Sequence, residues 1–294
     1  MTDKRTILRK PDWLKIKLHN NEEFSKVSEI VSSNALHTIC SSGKCPNMAE
    51  CWSRGTATFM IMGDICTRKC KFCATKTGLP LSLDVNEPEK LARSIKLMKL
   101  KHAVVTSVDR DDLVDGGAEH WAACVRAVKT LMPNTTLELL IPDFDAKKSL
   151  IDIVVDSKPD IIGHNIETIR RLTPSVRSRA KYDTSLEVLS YLESRGVRVK
   201  SGIMVGLGET KEEVLETLRG LRTAGCHIVT IGQYLRPTFD QLAVERYVTP
   251  EEFEQYKTYA YEVGFSYAEC GPLVRSSYMA ENALKKTKIN LRNF

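Results

Sequence analysis

The stretch TATFMIMGDICTRKCKFC, residues 56–73, decides how the rest of the chain is read. Its first half, Thr56–Gly63, is an apolar run of strand length closed by a glycine. Its second half sets Cys66, Cys70 and Cys73 at C-x3-C-x2-C spacing, with Phe72 before the last. A strand running into a tight group of thiols is a scaffold that delivers ligands to one place. Three thiolates supply three of the four ligands an iron–sulfur cube needs, and this spacing lets one loop wrap the cluster. One iron is left open, where a substrate or cofactor can bind directly.

A second triplet lies upstream. Cys40, Cys45 and Cys51 read C-x4-C-x5-C, so six of the nine cysteines fall within residues 40–73. Two triplets, each one ligand short, point to two clusters with different tasks. Structural zinc and disulfides are the competing readings. Zinc sites draw on paired C-x2-C units making four ligands, which neither triplet supplies, although His37 lies near Cys40. Disulfides belong to oxidising compartments, and nothing here reads as secreted. Cys124, Cys226 and Cys270 read as buried apolar filler.

With 294 residues, 42% hydrophobic and 27% charged, the chain can bury a full core and reads as a soluble globular protein. No apolar run approaches the ~20 residues of a membrane span, and Met1–Lys10 lacks the apolar segment of a signal peptide. A reducing cytoplasm is the expected compartment, with no membrane partner. The net charge of +6 is spread along the chain, with small groups at Lys4-Arg5, Arg9-Lys10 and Lys285-Lys286-Thr287-Lys288. That balance suits an acidic protein partner. No interleaving of basic and aromatic residues builds a nucleic-acid platform.

From Thr56 onward strands and helices alternate. Apolar or β-branched runs at His102–Ser107, Thr135–Ile141, Pro159–His164, Val197–Val205 and His227–Tyr234 follow the first strand. Helix starts are marked by Asn86 with Glu89, Thr184 with Glu187, Thr210 with Glu213 and Thr249 with Glu252, and helix ends by Gly196 and Gly264. Six strand–helix units predict an α/β fold with a parallel sheet and helices outside, either an open sheet or a barrel. Residues 1–55, with a helix near Glu22–Val31 and the first triplet, read as an N-terminal extension. Residues 56–264 form the core, and 265–294 a C-terminal extension.

The second triplet, with its aromatic, resembles the signature of the radical S-adenosylmethionine (SAM) superfamily. Both triplets, their separation, the Arg9–Lys15 stretch and an Arg-Ser-Ser-Tyr run at 275–278 together resemble the lipoyl synthases. The resemblance implies a partial (β/α)6 TIM-like barrel with its site at the strand ends, SAM and two 4Fe–4S clusters. It implies sulfur insertion at the sixth and eighth carbons of an octanoyl chain carried on a lysine of a protein. The cluster at Cys66, Cys70 and Cys73 would split SAM to a deoxyadenosyl radical. The auxiliary cluster at Cys40, Cys45 and Cys51 would give up sulfur, with Ser277, or next to it Ser276, as a fourth ligand. A hydroxyl holds iron less firmly than a thiolate does. By the same resemblance Gly116 and Gly117 would meet the methionine part of SAM, although family members often put a glutamate directly after the pair and here Ala118 precedes Glu119. The run Gly202-Ile203-Met204-Val205-Gly206-Leu207-Gly208-Glu209 would face adenine. Glu138, and the run His164-Asn165-Ile166-Glu167-Thr168 after the fourth strand, polar at predicted strand ends, are candidates for ribose or substrate contacts, as are Gln233, Tyr234 and Arg236. The implied partners are octanoylated carriers (lipoyl domains of 2-oxoacid dehydrogenases, the glycine cleavage H protein), an electron donor such as flavodoxin or ferredoxin, and an iron–sulfur carrier that rebuilds the spent cluster.

Overall fold

The computed structural model describes residues 8–16 and 21–283. The basic groups at Lys4-Arg5 and Lys285–Lys288, and His19, lie outside the described residues. In chain order the strands are β1 (His37–Thr38), β2 (Thr58–Ile61), β3 (Ile65–Cys66), β4 (Lys76–Thr77), β5 (His102–Ser107), β6 (Thr136–Leu140), β7 (Ile161–Gly163), β8 (Val199–Val205), β9 (Ile228–Gln233) and β10 (Tyr267–Gly271). The helices are α1 (Glu22–Ser33), α2 (Ile39–Ser42), α3 (Met48–Ser53), α4 (Glu87–Leu97), α5 (Ala118–Leu131), α6 (Lys148–Asp156), α7 (Thr173–Val176), α8 (Tyr182–Ser194), α9 (Lys211–Thr223) and α10 (Pro250–Glu262).

One sheet runs β1-β2-β5-β6-β7-β8-β9-β10, every pairing parallel except β1 with β2. Parallel neighbours require a crossover, and long helices supply it at each step from β2 to β10. The sheet is therefore a partial barrel of six β/α units. A seventh parallel strand, β10, follows them as the last strand in the sheet order. Sequence reading left β10 inside the C-terminal extension. Its register on β9, from Tyr267 opposite Ile228 to Gly271 opposite Gly232, makes it the last stave of the sheet.

Side chains alternate faces along each strand. Thr58, Val104, Thr106, Glu138, Leu140, Gly202, Met204, Thr230 and Gly232 thus point together into the barrel, and all of them line one cavity. The opposite faces pack under the helices. In α5, Trp121, Val125 and Val128 recur at helical spacing and are fully buried.

Helix starts follow the sequence in two places and depart in two. Thr210 with Glu213 and Thr249 with Glu252 form reciprocal capping boxes. Thr184, read as a cap, lies inside α8, which begins after Lys181 without a side-chain cap. Asn86 does precede α4, yet its side chain caps nothing, and Asp84 accepts from its amide at 2.9 Å. Gly196 and Gly264 follow their helices at φ +71° and +96°, the left-handed conformation that terminates a helix at little cost for glycine.

Thr249→Ala removes one side-chain bond of the α10 box. It should lower unfolding free energy by about 1 kcal/mol in urea titrations.

Candidate active site

The loop after β2 carries Cys66, Cys70 and Cys73, and Arg68 pins it. The Arg68 guanidinium donates through Nε and Nη2 to Asp111 at 2.9 and 2.8 Å, and through Nη2 to Asp143 at 2.8 Å, while Nη1 stands 3.4 Å from Asp109. These acids follow β5 and β6, so one side chain buried between two cysteines fixes the loop to two neighbouring strand ends. Burial would raise the Asp143 carboxyl, and the Arg68 hydrogen bond and charge hold it below its usual range. The loop's backbone adds ties: Lys71 N–H donates to Val176 O at 2.9 Å, Leu242 N–H donates to Lys71 O at 3.0 Å, and Gln241 Nε2 donates to Cys73 O at 3.1 Å.

The first triplet sits on α2, on the turn after it and on α3, and the C-terminal run closes over it. Asn47 Nδ2 donates to Leu273 O at 2.6 Å, Thr58 Oγ1 to Ser277 Oγ at 2.7 Å, and Tyr278 OH to Glu50 at 3.1 Å. Asn165 Nδ2 donates to Ser276 Oγ at 2.6 Å. The run therefore crosses from the β7–β8 side of the barrel to β2. Gly232 makes the crossing possible, because a Cβ there would stand 2.0 Å from Val274 O.

Both triplets open on a single cavity of about 520 Å³. Cys40, Cys45, Cys66, Cys70 and Cys73 line it, as do Arg275, Ser276 and Ser277. Cys51 stands behind, close enough to Cys40 and Cys45 for their charges to push its thiol up. Burial is the larger cause, and the thiol reaches about 12. Burial, with the charge of Asp109, likewise drives Cys66 to about 12, and Cys45 and Cys73 are raised mainly by burial. All nine cysteines are free thiols. Among the described residues no three His, Cys, Asp or Glu side chains converge as ligands of one metal ion would. The ligands of a cube bind separate irons and need not converge. Grouped thiols that resist ionising alone fit a cationic metal centre, which offsets thiolate repulsion and releases their protons on binding.

Of the residues read from sequence as cofactor contacts, Glu138, Asn165, Gly202 and Met204 line the cavity. Gly116, Gly117, Gly206 and Glu209 do not. Gly116 borders a separate, smaller cavity, and Gly117, where a Cβ would strike Met62 Sδ at 2.3 Å, caps α5 at φ +86°. Glu209 turns inward and accepts the amides of Gly206 and Leu207 at 2.6 and 2.9 Å. Gln233 is buried and lines the cavity with Tyr234 and Arg236.

His164 and Glu167, read from sequence as polar candidates at a strand end, line the cavity; Arg177 lines it too and was not singled out from sequence, nor was Lys200, which lies outside its lining. Arg177 is buried and donates to Ser185 Oγ at 2.7 Å. Burial lowers His164 to about 4, with Arg177 adding to the effect, and burial raises Glu167. Lys200, buried on β8, donates to Glu138 Oε1 at 2.5 Å, and His102 Nε2 stands 3.6 Å from the other oxygen. A lysine inside an apolar strand was the available signal, because a charge at an inward position needs a partner across the barrel.

Residues 60–221 match the family model of the radical SAM superfamily. A lipoyl synthase of Parabacteroides distasonis is 61% identical over 274 residues, covering 93% of this chain and 98% of that protein. One of Bacteroides thetaiotaomicron is 58% identical over 278 residues, covering 95% and 99%. Among solved structures, methylornithine synthase superposes with a TM-score of 0.51 at 13% identity, covering 90% of this chain and 92% of that one. The FeFe-hydrogenase maturase HydG from Carboxydothermus hydrogenoformans gives 0.56 at 11% identity, covering 92% and 78%. At those identities the likeness is one of fold. A partial barrel with a three-cysteine loop past its first parallel strand, matched by that model over more than half its length, is a radical SAM enzyme. Within that class the chain belongs to the lipoyl synthase family.

Two measurements test this geometry. Burial would raise the Glu138 carboxyl from its ordinary 4.5, but the charge of Lys200 holds it lower. Its contribution is therefore present at neutral pH and lost as pH falls through that lowered value. Glu138→Gln should cost about 3–5 kcal/mol in urea unfolding at pH 7, fading in acid, and Glu138→Leu with Lys200→Met should recover most of it. Gly232→Ala should leave the fold intact but displace residues 274–277, lowering the iron retained after desalting in the dark under nitrogen.

Proposed function

We propose that the two triplets hold two clusters with divided labour around one cavity. The enzyme inserts two sulfur atoms into an octanoyl chain carried on a protein lysine, and it uses SAM and a 4Fe–4S cluster. Cys66, Cys70 and Cys73 hold the SAM-binding cluster; Cys40, Cys45 and Cys51, with the Ser277 hydroxyl, hold the auxiliary one. When bound, the first supplies a radical able to take hydrogen from an unactivated carbon, and the second supplies sulfur.

The observation that carries this reading is the shared cavity: both cysteine groups and the C-terminal serines line it, so one bound chain can face both. The protein's own residues do the positioning. Arg68 and its three acids hold the first loop still, the amides of Arg68 and Asp109 point at Cys66 Sγ at 3.4 and 3.3 Å, and Phe72 walls the cavity. Thr58 aims the Ser277 hydroxyl from the opposite side. Asn165, Gly202 and Met204 stand where SAM would lie between, and Gly202 has no room for a side chain, since a Cβ would meet Thr230 Oγ1 at 2.6 Å. Val104, Leu140, Ile141 and Ile203 offer an acyl chain an apolar wall.

The carriers are lipoyl domains of 2-oxoacid dehydrogenases and the glycine cleavage H protein; electrons come from a flavodoxin or ferredoxin, and an iron–sulfur carrier rebuilds the auxiliary cluster. The compartment is the cytoplasm. Among the described residues no helix is long and apolar enough to cross a membrane.

Anaerobically purified protein should hold about eight irons. Cys70→Ala should abolish SAM cleavage and keep about four, whereas Cys45→Ala should cleave SAM and make no lipoyl product. Cleavage by the first variant, or product from the second, refutes the division.

A further inference from the structure

The mouth of the cavity has a chemistry its interior lacks. Lys10, Lys44 and Arg236 line it from three separate segments, and Lys10 and Lys44 are exposed without an ion-pair partner among the described residues. The acids lining the same cavity lie inside and are committed: Asp109 and Asp143 to Arg68, and Glu138 to Lys200, with Glu167 buried beside Arg177. Positive charge thus faces outward at the rim, and negative charge is neutralised below it.

Exposed apolar side chains adjoin these lining residues: Ile16 lines the cavity itself, Trp13 lies between Lys10 and Ile16 in the chain, and Phe239 packs against Arg236. Trp13 is 43% exposed, Ile16 40% and Phe239 76%, and Arg236 lies over the Phe239 ring at 5.2 Å. The segment bearing Lys10, Trp13 and Ile16 is tied down, because Leu14 is buried and Tyr247 OH donates to Leu8 O at 3.4 Å. Exposed aromatic rings beside cations that line the cavity are the components of a docking rim.

We propose that this rim docks the carrier: a small folded domain whose acylated lysine is flanked by acidic side chains. Lys10 and Lys44 meet the acids, Trp13 and Phe239 seat against the carrier body, and the tethered chain passes inward. The inference rests on the function proposed above and names its docking surface. Rim charges act on encounter and register, so their loss falls on the carrier and spares a substrate too small to reach them.

The test uses the enzyme with both clusters loaded and two substrates, an octanoylated carrier domain and a short, uncharged octanoyl-lysine peptide. Lys10→Glu and Trp13→Ala should each raise KM for the carrier about tenfold, and raise the carrier-to-peptide KM ratio by nearly as much. Raising salt from roughly 0.05 to 0.5 M should weaken carrier use by the parent and much less by Lys10→Glu. Equal losses on both substrates, or an unchanged carrier KM, overturn the proposal. A photo-crosslinking residue at position 13 should trap the carrier; trapping a second copy of this chain, or its own C-terminal tail, overturns it also. If the parent enzyme converts neither substrate, the functional reading itself has failed. Conversion of both, with the variants indifferent to the carrier, removes the dock alone.

Discussion

A carbonyl oxygen occupies the space where a side chain would stand on β9. Val274 O approaches Gly232 so closely that any Cβ would be 2.0 Å away, and this contact carries Arg275, Ser276 and Ser277 into the barrel instead of over its surface. From there Ser276 reaches Asn165 and Ser277 reaches Thr58. The sheet ends in β1, paired on β2, at one side and in β10 at the other, and the chain after β10 crosses back to Thr58 on β2. With it, thiols of both triplets line one cavity.

A second constraint is electrostatic. Three acids crowd the loop of Cys66, Cys70 and Cys73, and one buried arginine holds them. A buried arrangement of this kind adds little net stability over an apolar core, since desolvation offsets most of the attraction. What it supplies is position: it leaves one geometry for the loop that carries the three thiols. The same reasoning applies to Glu138 and Lys200, which cross the barrel floor below the cavity.

The fold was legible from sequence because the six apolar runs and their capped helices agree in period, length and punctuation. The seventh parallel strand was missed because YAECG is short and carries a glutamate, and only pairing with β9 makes it a strand. Thr184 misled because a Thr-x-x-Glu pattern is also an ordinary interior helix sequence, and α8 starts two residues earlier. The cysteine groups could be read directly, since spacing alone expresses what a loop can wrap. The glycine pair at 116–117 has no such single reading, because a left-handed glycine serves a helix start and a ligand contact equally well. Arg68 and Gly232 owe their importance to partners 41 to 75 and 42 residues away, distances at which no local pattern speaks.

Two groups of thiols opening on one cavity is an arrangement with a consequence: whatever the first group makes reactive lies within reach of what the second holds. The direct test is a single turnover with protein whose auxiliary cluster was built from a heavy sulfur isotope, washed free of loose sulfide, and then given octanoylated substrate in light sulfide. The account predicts product carrying the heavy isotope at both positions and a matching loss of auxiliary iron. Product carrying light sulfur, with the auxiliary cluster intact, would contradict it.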